Sequence, residues 1–155
     1  MKLFDSSQLK LSGFGDCLPR ALIGFQGEIQ ASRILRARGY KVIQASRKMG
    51  DLRAVDKSTG VIYRVEVKTA NRAVDGKWRA TLQKPGVDHN NADVVLFLAV
   101  IEDYELVPFV VPVAALSCRQ LCITSHPVKT YRGKYAPYRQ CVDTLDLEVS
   151  YEALD

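Results

Sequence analysis

The length and composition of this chain favour a single globular domain. Its 155 residues are 47% hydrophobic and 25% charged, which supplies one core and leaves no room for a second domain. No apolar run approaches the roughly 20 residues needed to cross a bilayer, and the start of the chain lacks the apolar stretch of a signal peptide. We therefore expect a cytoplasmic protein rather than a membrane-spanning or secreted one.

The charge of the chain is unevenly distributed. The formal net charge is +5, but all 22 Lys and Arg precede residue 141 together with 12 of the 17 acids, so residues 1–140 carry +10. The last segment, 141–155, is an acidic tail. A basic body suits a polyanionic partner such as nucleic acid, although basic surface can also serve only for solubility.

One helix is predicted near the start, over residues 19–38. Its apolar residues recur at helical spacing, Pro19 suits the first turn, and Gly39 suits the stop. The apolar residues are Leu22, Phe25, Ile29 and Leu35.

Strands are predicted after this helix. Residues 51–55 and 61–69 are expected to pair as a hairpin around the turn Asp56–Gly60. Residues 92–101 are almost wholly apolar, as expected of a central strand covered on both faces. The other predicted elements are strands at 40–45, 79–82 and 106–111, and a short helix at 113–119. This order indicates a mixed α/β sheet with a core at about 19–119, a basic Tyr-rich segment at 129–139, and the acidic tail.

The cysteines allow one metal-site hypothesis. Cys118, Cys122 and His126 recur every four residues and could form a zinc corner if that segment were helical and Cys141 came close. The alternative is that the cysteines are small buried residues, and Pro127 favours it because a proline would end such a helix.

Three residues carry the strongest chemical signal. Glu66 and Lys68 lie two apart on one predicted strand, so their side chains point to the same face. Asp51 begins the partner strand and would lie across from them if the hairpin pairs around its turn. Two carboxylates can hold Mg²⁺ and leave positions for water and a phosphate oxygen, while a lysine can stabilise developing charge. The set therefore predicts a site for phosphodiester hydrolysis.

Glu28 is a fourth candidate. It shares the apolar side of the predicted helix, where a carboxylate is costly unless it is paired or bound to a cation. It could complete the metal site, or it could lie at the edge of the stripe and pair with Arg33 or Arg36.

The order of these residues resembles the PD-(D/E)XK nuclease superfamily. The resemblance covers about residues 19–111. Within it, Gly24–Glu28 with Ala31, Leu35 and Gly39–Tyr40 looks like the opening helix of archaeal Holliday junction resolvases and related small homing endonucleases. It implies a restriction-endonuclease-like fold, a mixed β-sheet flanked by helices in the order αβββαβ. The absence of a proline before Asp51 is one departure from the pattern.

The resemblance also implies residue roles. Glu28 would be the metal-site glutamate, Asp51 the motif aspartate, Glu66 the motif acid and Lys68 the catalytic lysine. Gln83 lies after the catalytic strand, where some members place a polar residue near the site, and is a weaker candidate. His89 could act as a general base, but a solvated loop histidine is the favoured alternative.

The implied activity is that of an endodeoxyribonuclease using Mg²⁺, with Mn²⁺ as a substitute, and making homing- or restriction-type double-strand cuts. One alternative is a structure-specific Holliday junction resolvase. An alternative of another class is a non-catalytic nucleic-acid-binding protein of the same fold.

The resemblance also implies an oligomer, because small nucleases of this kind pair subunits. We therefore expect a homodimer or higher oligomer. Residues 107–111 could form either its interface or a core strand.

Two basic groups are candidates for contacts to duplex or branched DNA. The first follows the motif and would line the cleft: Arg72, Lys77, Arg79 and Lys84. The second interleaves cations with tyrosines that could contact phosphates, sugars or bases: Lys129, Tyr131, Arg132, Lys134, Tyr135 and Arg139. The alternative for the second group is a structural loop whose tyrosines cover a core edge.

Overall fold

The chain begins, in its described part, with one long helix. The computed structural model describes residues 20–44, 52–82, 92–116 and 120–140. Helix α1 spans Arg20–Ala37 and ends at Gly39, whose φ of +90° is the left-handed conformation that commonly closes a helix. The predicted helix is confirmed.

The buried stripe of α1 differs from the predicted one. Ala31, Ile34 and Leu35 are buried, whereas Phe25 is 59% exposed. The buried face also includes Gly27, and Phe25 lies about 200° around the helix from that residue. The expectation that Phe25 belongs to the core is therefore wrong, while that for Leu35 is confirmed.

Within the described residues, seven strands follow α1. In chain order they are β1 (Tyr40–Gln44), β2 (Leu52–Asp56), β3 (Ile62–Ala70), β4 (Trp78–Thr81), β5 (Val94–Val100), β6 (Leu106–Pro112) and β7 (Gln120–Ile123). Five of them form a sheet in the order β1-β2-β3-β5-β6, and β4 pairs with β7 as a separate two-stranded sheet. The β3–β5 pair is parallel and the other pairs are antiparallel. This architecture confirms the predicted mixed α/β class.

The predicted hairpin is confirmed as β2–β3. Val55 pairs with Ile62, and the turn is closed by Gly60 N–H donating to the Asp56 carbonyl at 2.8 Å. The Asp56 carboxylate accepts hydrogen bonds from the side chain and backbone of Ser58, and these lower the pKa of Asp56. Such a side-chain cap fixes the turn and with it the register of the hairpin.

The five-stranded sheet has two different covers. Helix α1 packs on one face, against a cluster that includes Tyr63, Val65 and Val67. The opposite face carries Ala70, Val95, Phe97 and Ala99 and is covered by β4, β7 and the tyrosines of residues 131–138. The indole of Trp78 ties the second layer down, since its Nε1 donates to the Val100 carbonyl at 2.8 Å.

Other expectations can be compared with this layering. Between β3 and β5 the described residues contain β4, and the rest of that connection, 83–91, lies outside the described residues. Of the helix predicted at 113–119, the described residues 113–116 contain one 3-10 turn, Val113–Ala115, and 117–119 lie outside the described residues. Residues 107–111 are fully buried within β6, so they form a core strand rather than an interface. Within the described ranges, no helix is long and apolar enough to span a membrane.

An ion pair joins the start of β5 to β3. The Arg64 guanidinium donates to both Asp93 oxygens, at 2.9 Å from Nη2 and 3.2 Å from Nε, and the Arg64 backbone N–H donates to the same carboxylate at 2.7 Å. Burial alone would raise the pKa of Asp93, but these hydrogen bonds and the charge of Arg64 outweigh it and lower the pKa below its ordinary 3.8.

Replacing Asp93 by Asn should therefore destabilise the protein in a pH-dependent way. A carboxyl with a lowered folded-state pKa contributes stability above its unfolded pKa and loses it as pH falls through the folded value. We expect Asp93→Asn to cost about 1–2 kcal/mol at pH 7, with the difference from the wild type closing under more acidic conditions. Urea unfolding at pH 7 and pH 3 measures this, with Asp103→Asn as an exposed control. An equal loss at both pH values would contradict the assignment.

Candidate active-site cleft

The candidate site lies where β3 extends beyond β2. Leu52 pairs with Val65 at the end of the β2–β3 ladder, whereas the β3–β5 ladder continues to Ala70. Past Val65, the side of β3 that faced β2 has no strand partner in the described part of the chain. Side chains on both faces of β3 can therefore reach this edge.

Glu66 and Lys68 form an ion pair on this stretch of β3. The Lys68 Nζ lies 3.1 Å from the Glu66 Oε1, and the lysine and glutamate side chains are 28% and 16% exposed respectively. Their common face confirms the alternation argument. A mostly buried ion pair contributes little net stability, because desolvation offsets the attraction between the charges. A contribution to fold stability therefore does not explain why both charged side chains occur at this position.

A cleft of about 650 Å³ opens beside this pair, bordered by both Glu28 and Lys68. Its walls come from α1, the end of β3, the turn that follows it, and β4. Glu28 also borders a second depression of about 450 Å³, together with Arg33, Arg36 and Leu52. The helix glutamate therefore lies between the lysine of β3 and the first residue of β2.

Several predicted site residues lie outside the described residues. These are Asp51, Gln83, Lys84 and His89. Asp51 directly precedes Leu52, whose register partner Val65 directly precedes Glu66. The hairpin on which the Asp51 hypothesis depends is thus present.

The described carboxylates suit a hard divalent cation. Glu28 and Glu66 offer oxygen atoms, the donors that Mg²⁺ prefers, and the open cleft leaves room for the waters that Mg²⁺ retains. No group of three or more His, Cys, Asp or Glu side chains stands together among the described residues, so a carboxylate from outside them, such as Asp51, is needed for a third ligand.

The zinc hypothesis fails on local structure. It required a helix through Cys122, but Gln120–Ile123 is a strand paired with β4. His126 instead holds a turn together: its Nδ1 accepts hydrogen bonds from the backbone N–H groups of Val128 and Lys129, and its Nε2 lies 2.9 Å from a Glu102 oxygen. The hydrogen bond from His126 lowers the pKa of Glu102.

Cationic side chains form one wall of the cleft. Arg72 and Arg79 border it, as predicted, whereas Lys77 lies in the turn between them and not in the cleft wall. The Arg72 guanidinium lies 5.9 Å from the centre of the Trp78 ring, and Arg79 pairs with Asp75. The hydrogen bond from Arg79 lowers the pKa of Asp75. These contacts hold the two guanidinium groups beside the cleft.

The tyrosines of the basic segment point inward. Tyr131 and Tyr135 are only 2% and 4% exposed, the Tyr131 ring packs edge-on against Phe109 at 6.0 Å, and its hydroxyl accepts the Tyr135 N–H at 3.0 Å. Burial raises the pKa of Tyr131. The expectation that these two tyrosines contact DNA is therefore wrong. The structure supports the alternative, in which their rings cover an edge of the core.

The cations of the segment divide into two groups. Arg139 is partly buried and donates from Nη1 to the Pro127 carbonyl at 2.8 Å, so it braces the loop. Lys129, Arg132 and Lys134 are exposed on its outer surface. Of the predicted contacts in this segment, these three remain positioned for a polyanion.

The fold built from the helix and the mixed sheet is shared with an endonuclease of known structure. That protein is the bacterial homing endonuclease I-Ssp6803I, which matches with a TM-score of 0.61 over 79% of this chain and 88% of that chain, at 18% sequence identity. At this identity the similarity shows the fold alone. No protein-family model and no curated protein matches the chain.

Proposed function

We propose that the protein is a metal-dependent DNA endonuclease of the PD-(D/E)XK type, making homing-type double-strand cuts. The observation that carries the proposal is the Glu66–Lys68 pair at the open edge of β3, beside a cleft bordered by Glu28, Arg72 and Arg79. The structural similarity to I-Ssp6803I supports the proposal, because that protein is a homing endonuclease.

Each acidic residue has a role in this proposal. Glu66, Asp51 and Glu28 would hold Mg²⁺, which would supply an activated water and offset charge on the phosphate. The position of Leu52 opposite Val65 supports a place for Asp51 next to Glu66. Glu28 is carried by α1 and Glu66 by β3, so the packing of the helix on the sheet sets the spacing of these two carboxylates.

Lys68 acts on the substrate. Its ammonium has three donors and is paired with Glu66 in the resting protein. With DNA bound, it donates to a phosphate oxygen or to the attacking water and stabilises the negative charge that develops in the transition state. Arg72 and Arg79 hold neighbouring phosphates, which positions the strand without reading its sequence.

A cleavage assay on three DNA forms tests the proposal. The protein is incubated with linear, supercoiled and four-way-junction DNA, with Mg²⁺, with Mn²⁺ and with chelator. We expect cutting of duplex DNA with either metal and none with chelator. Cutting confined to the junction would identify a resolvase instead, and metal-independent binding without cutting on any form would identify a non-catalytic DNA-binding protein.

We further propose that two copies act together. A double-strand cut requires attack on two strands, and the described chain offers one candidate site. Size-exclusion chromatography with light scattering, with and without duplex DNA, measures the assembly. A strict monomer on DNA that still cuts both strands in one binding event would contradict this.

Removing the exposed cations of the basic segment should weaken DNA binding without affecting the fold. When binding releases counterions, the logarithm of the binding constant falls by about 0.9 per contacted phosphate for each tenfold rise in salt concentration. We expect Lys129→Gln, Arg132→Gln and Lys134→Gln together to reduce the salt slope by about one unit for each phosphate that the variant no longer binds. A matched triple change to Gln at Lys41, Lys57 and Arg38, which border neither depression beside Glu28, controls for net charge. Equal slopes for the two triple variants would return the segment to a purely structural role.

A further inference from the structure

Gly27 lies where glycine is unfavourable for a helix. It is inside α1 and does not need the backbone freedom of glycine, since it is not among the residues with positive φ. Glycine in a helix interior is destabilising relative to alanine. A reason for glycine at this position must therefore come from its surroundings.

The surroundings are the side chain of Thr69. A Cβ built at position 27 would lie 1.8 Å from the Thr69 Oγ1 and 2.8 Å from its Cβ. By contrast, a Cβ at Gly24, one turn earlier in the same helix, would meet no atom within 4 Å. At position 27 the backbone of helix α1 thus lies so close to Thr69 of β3 that any side chain on residue 27 would clash.

The Thr69 hydroxyl makes this contact at a cost. Its Oγ1 is buried and has no hydrogen-bond partner in the described part of the chain. A buried unpaired hydroxyl is destabilising, and valine would fill the same volume without that penalty. The buried face of α1 and the end of β3 are therefore held together by a pair of residues that stability alone would not favour.

The two contacting residues are sequence neighbours of the candidate catalytic groups. Gly27 precedes Glu28, and Thr69 follows Lys68. Glu28, Lys68 and Thr69 all border the same cleft. A change in the Gly27–Thr69 distance would move the helix carboxylate relative to the groups on β3.

We propose that the Gly27–Thr69 contact is a positioning contact that sets the separation between the Glu28 carboxylate and the Glu66–Lys68 pair, and thereby the affinity of the site for its divalent cation. The inference rests on the proposed function. Residues that orient metal ligands typically change metal affinity or activity by about 10–100-fold when they are altered.

Calorimetric titration of the full chain with Mg²⁺ and Mn²⁺ tests the inference, with thermal unfolding measured on every variant. We expect Gly27→Ala to weaken metal binding by about tenfold or more. Gly24 also borders the cleft, but a Cβ there meets no atom within 4 Å, so Gly24→Ala should have a much smaller effect. Gly27→Ala combined with Thr69→Gly should recover affinity relative to Gly27→Ala alone, since the clash is removed. Such recovery separates positioning from a general loss of stability.

Substitutions of Thr69 keep the inference testable if Gly27→Ala does not fold. Thr69→Val preserves the shape and should retain metal affinity, whereas Thr69→Ala leaves a gap and should weaken it. If folded Gly27→Ala or Thr69→Ala protein binds metal as tightly as the wild type, this inference is overturned but the proposed function is not. Failure of the wild type itself to bind either cation would overturn the proposed function and this inference with it.

Discussion

Replacement of Lys68 by alanine should lower the rate of Mg²⁺-dependent DNA cleavage by about 10²–10³-fold, the usual loss when one donor to a transition-state charge is removed. DNA affinity should change little, because Arg72, Arg79 and the exposed cations of the basic segment remain. The measurement is single-turnover cleavage at saturating protein, paired with a binding titration in which chelator replaces the metal. Asp51→Ala should give a similar loss through the metal site.

Controls separate this chemistry from effects on the fold. Removing the Lys68 ammonium leaves the Glu66 carboxylate without its ion-pair partner, so thermal unfolding must accompany the rates. Lys41→Ala removes an exposed lysine from β1 and should cut DNA at the wild-type rate. Undiminished cleavage by Lys68→Ala or Asp51→Ala would end the catalytic assignment of that residue.

Replacement of Tyr131 by alanine should cost about 3–5 kcal/mol of unfolding free energy, as for other buried aromatic side chains. The ring is 2% exposed and contacts Phe109, and Gly133 packs so closely that a Cβ on it would lie 2.6 Å from the same ring. Chemical denaturation at pH 7 measures the loss. A loss below that of an exposed substitution such as Lys134→Ala would contradict the core role.

Tyr131→Phe isolates the hydroxyl. It keeps the ring but leaves the Tyr135 N–H without its acceptor, so we expect a loss of about 1–2 kcal/mol. Since burial raises the pKa of Tyr131 above 10.0, the wild type favours the neutral phenol and loses stability as pH rises above that value. The phenylalanine variant should lack this alkaline contribution.

The features that were predicted correctly from the sequence are those that depend on a local pattern of residues. Helical spacing and Gly39 located α1, and the Asp56–Gly60 turn located the β2–β3 hairpin. Strict alternation placed Glu66 and Lys68 on one face, which the ion pair between them confirms. Continuous apolar character identified β5 as the strand covered on both sides.

The errors concern features that depend on distant partners. The β4–β7 sheet pairs Trp78 with Ile123, and two strands of four residues so far apart carry no signal of their association. Interleaved tyrosines and cations suggested a DNA surface, but the sequence cannot tell which side chains of an irregular loop turn inward. Phe25 is 59% exposed because it lies about 200° around the helix from Gly27, which contacts Thr69 of β3.

The pairing of β4 with β7, two strands far apart in the chain, also has a consequence for how the chain folds. The β2–β3 hairpin closes a turn of a few residues, whereas the β4–β7 sheet must bring Thr81 to Gln120, and long loop closures slow folding. We expect the helix and hairpin to form early and the second layer to close last. Until it closes, the fully apolar strand Val94–Val100 has one face open to water, so we expect the chain to aggregate most readily at this stage of folding.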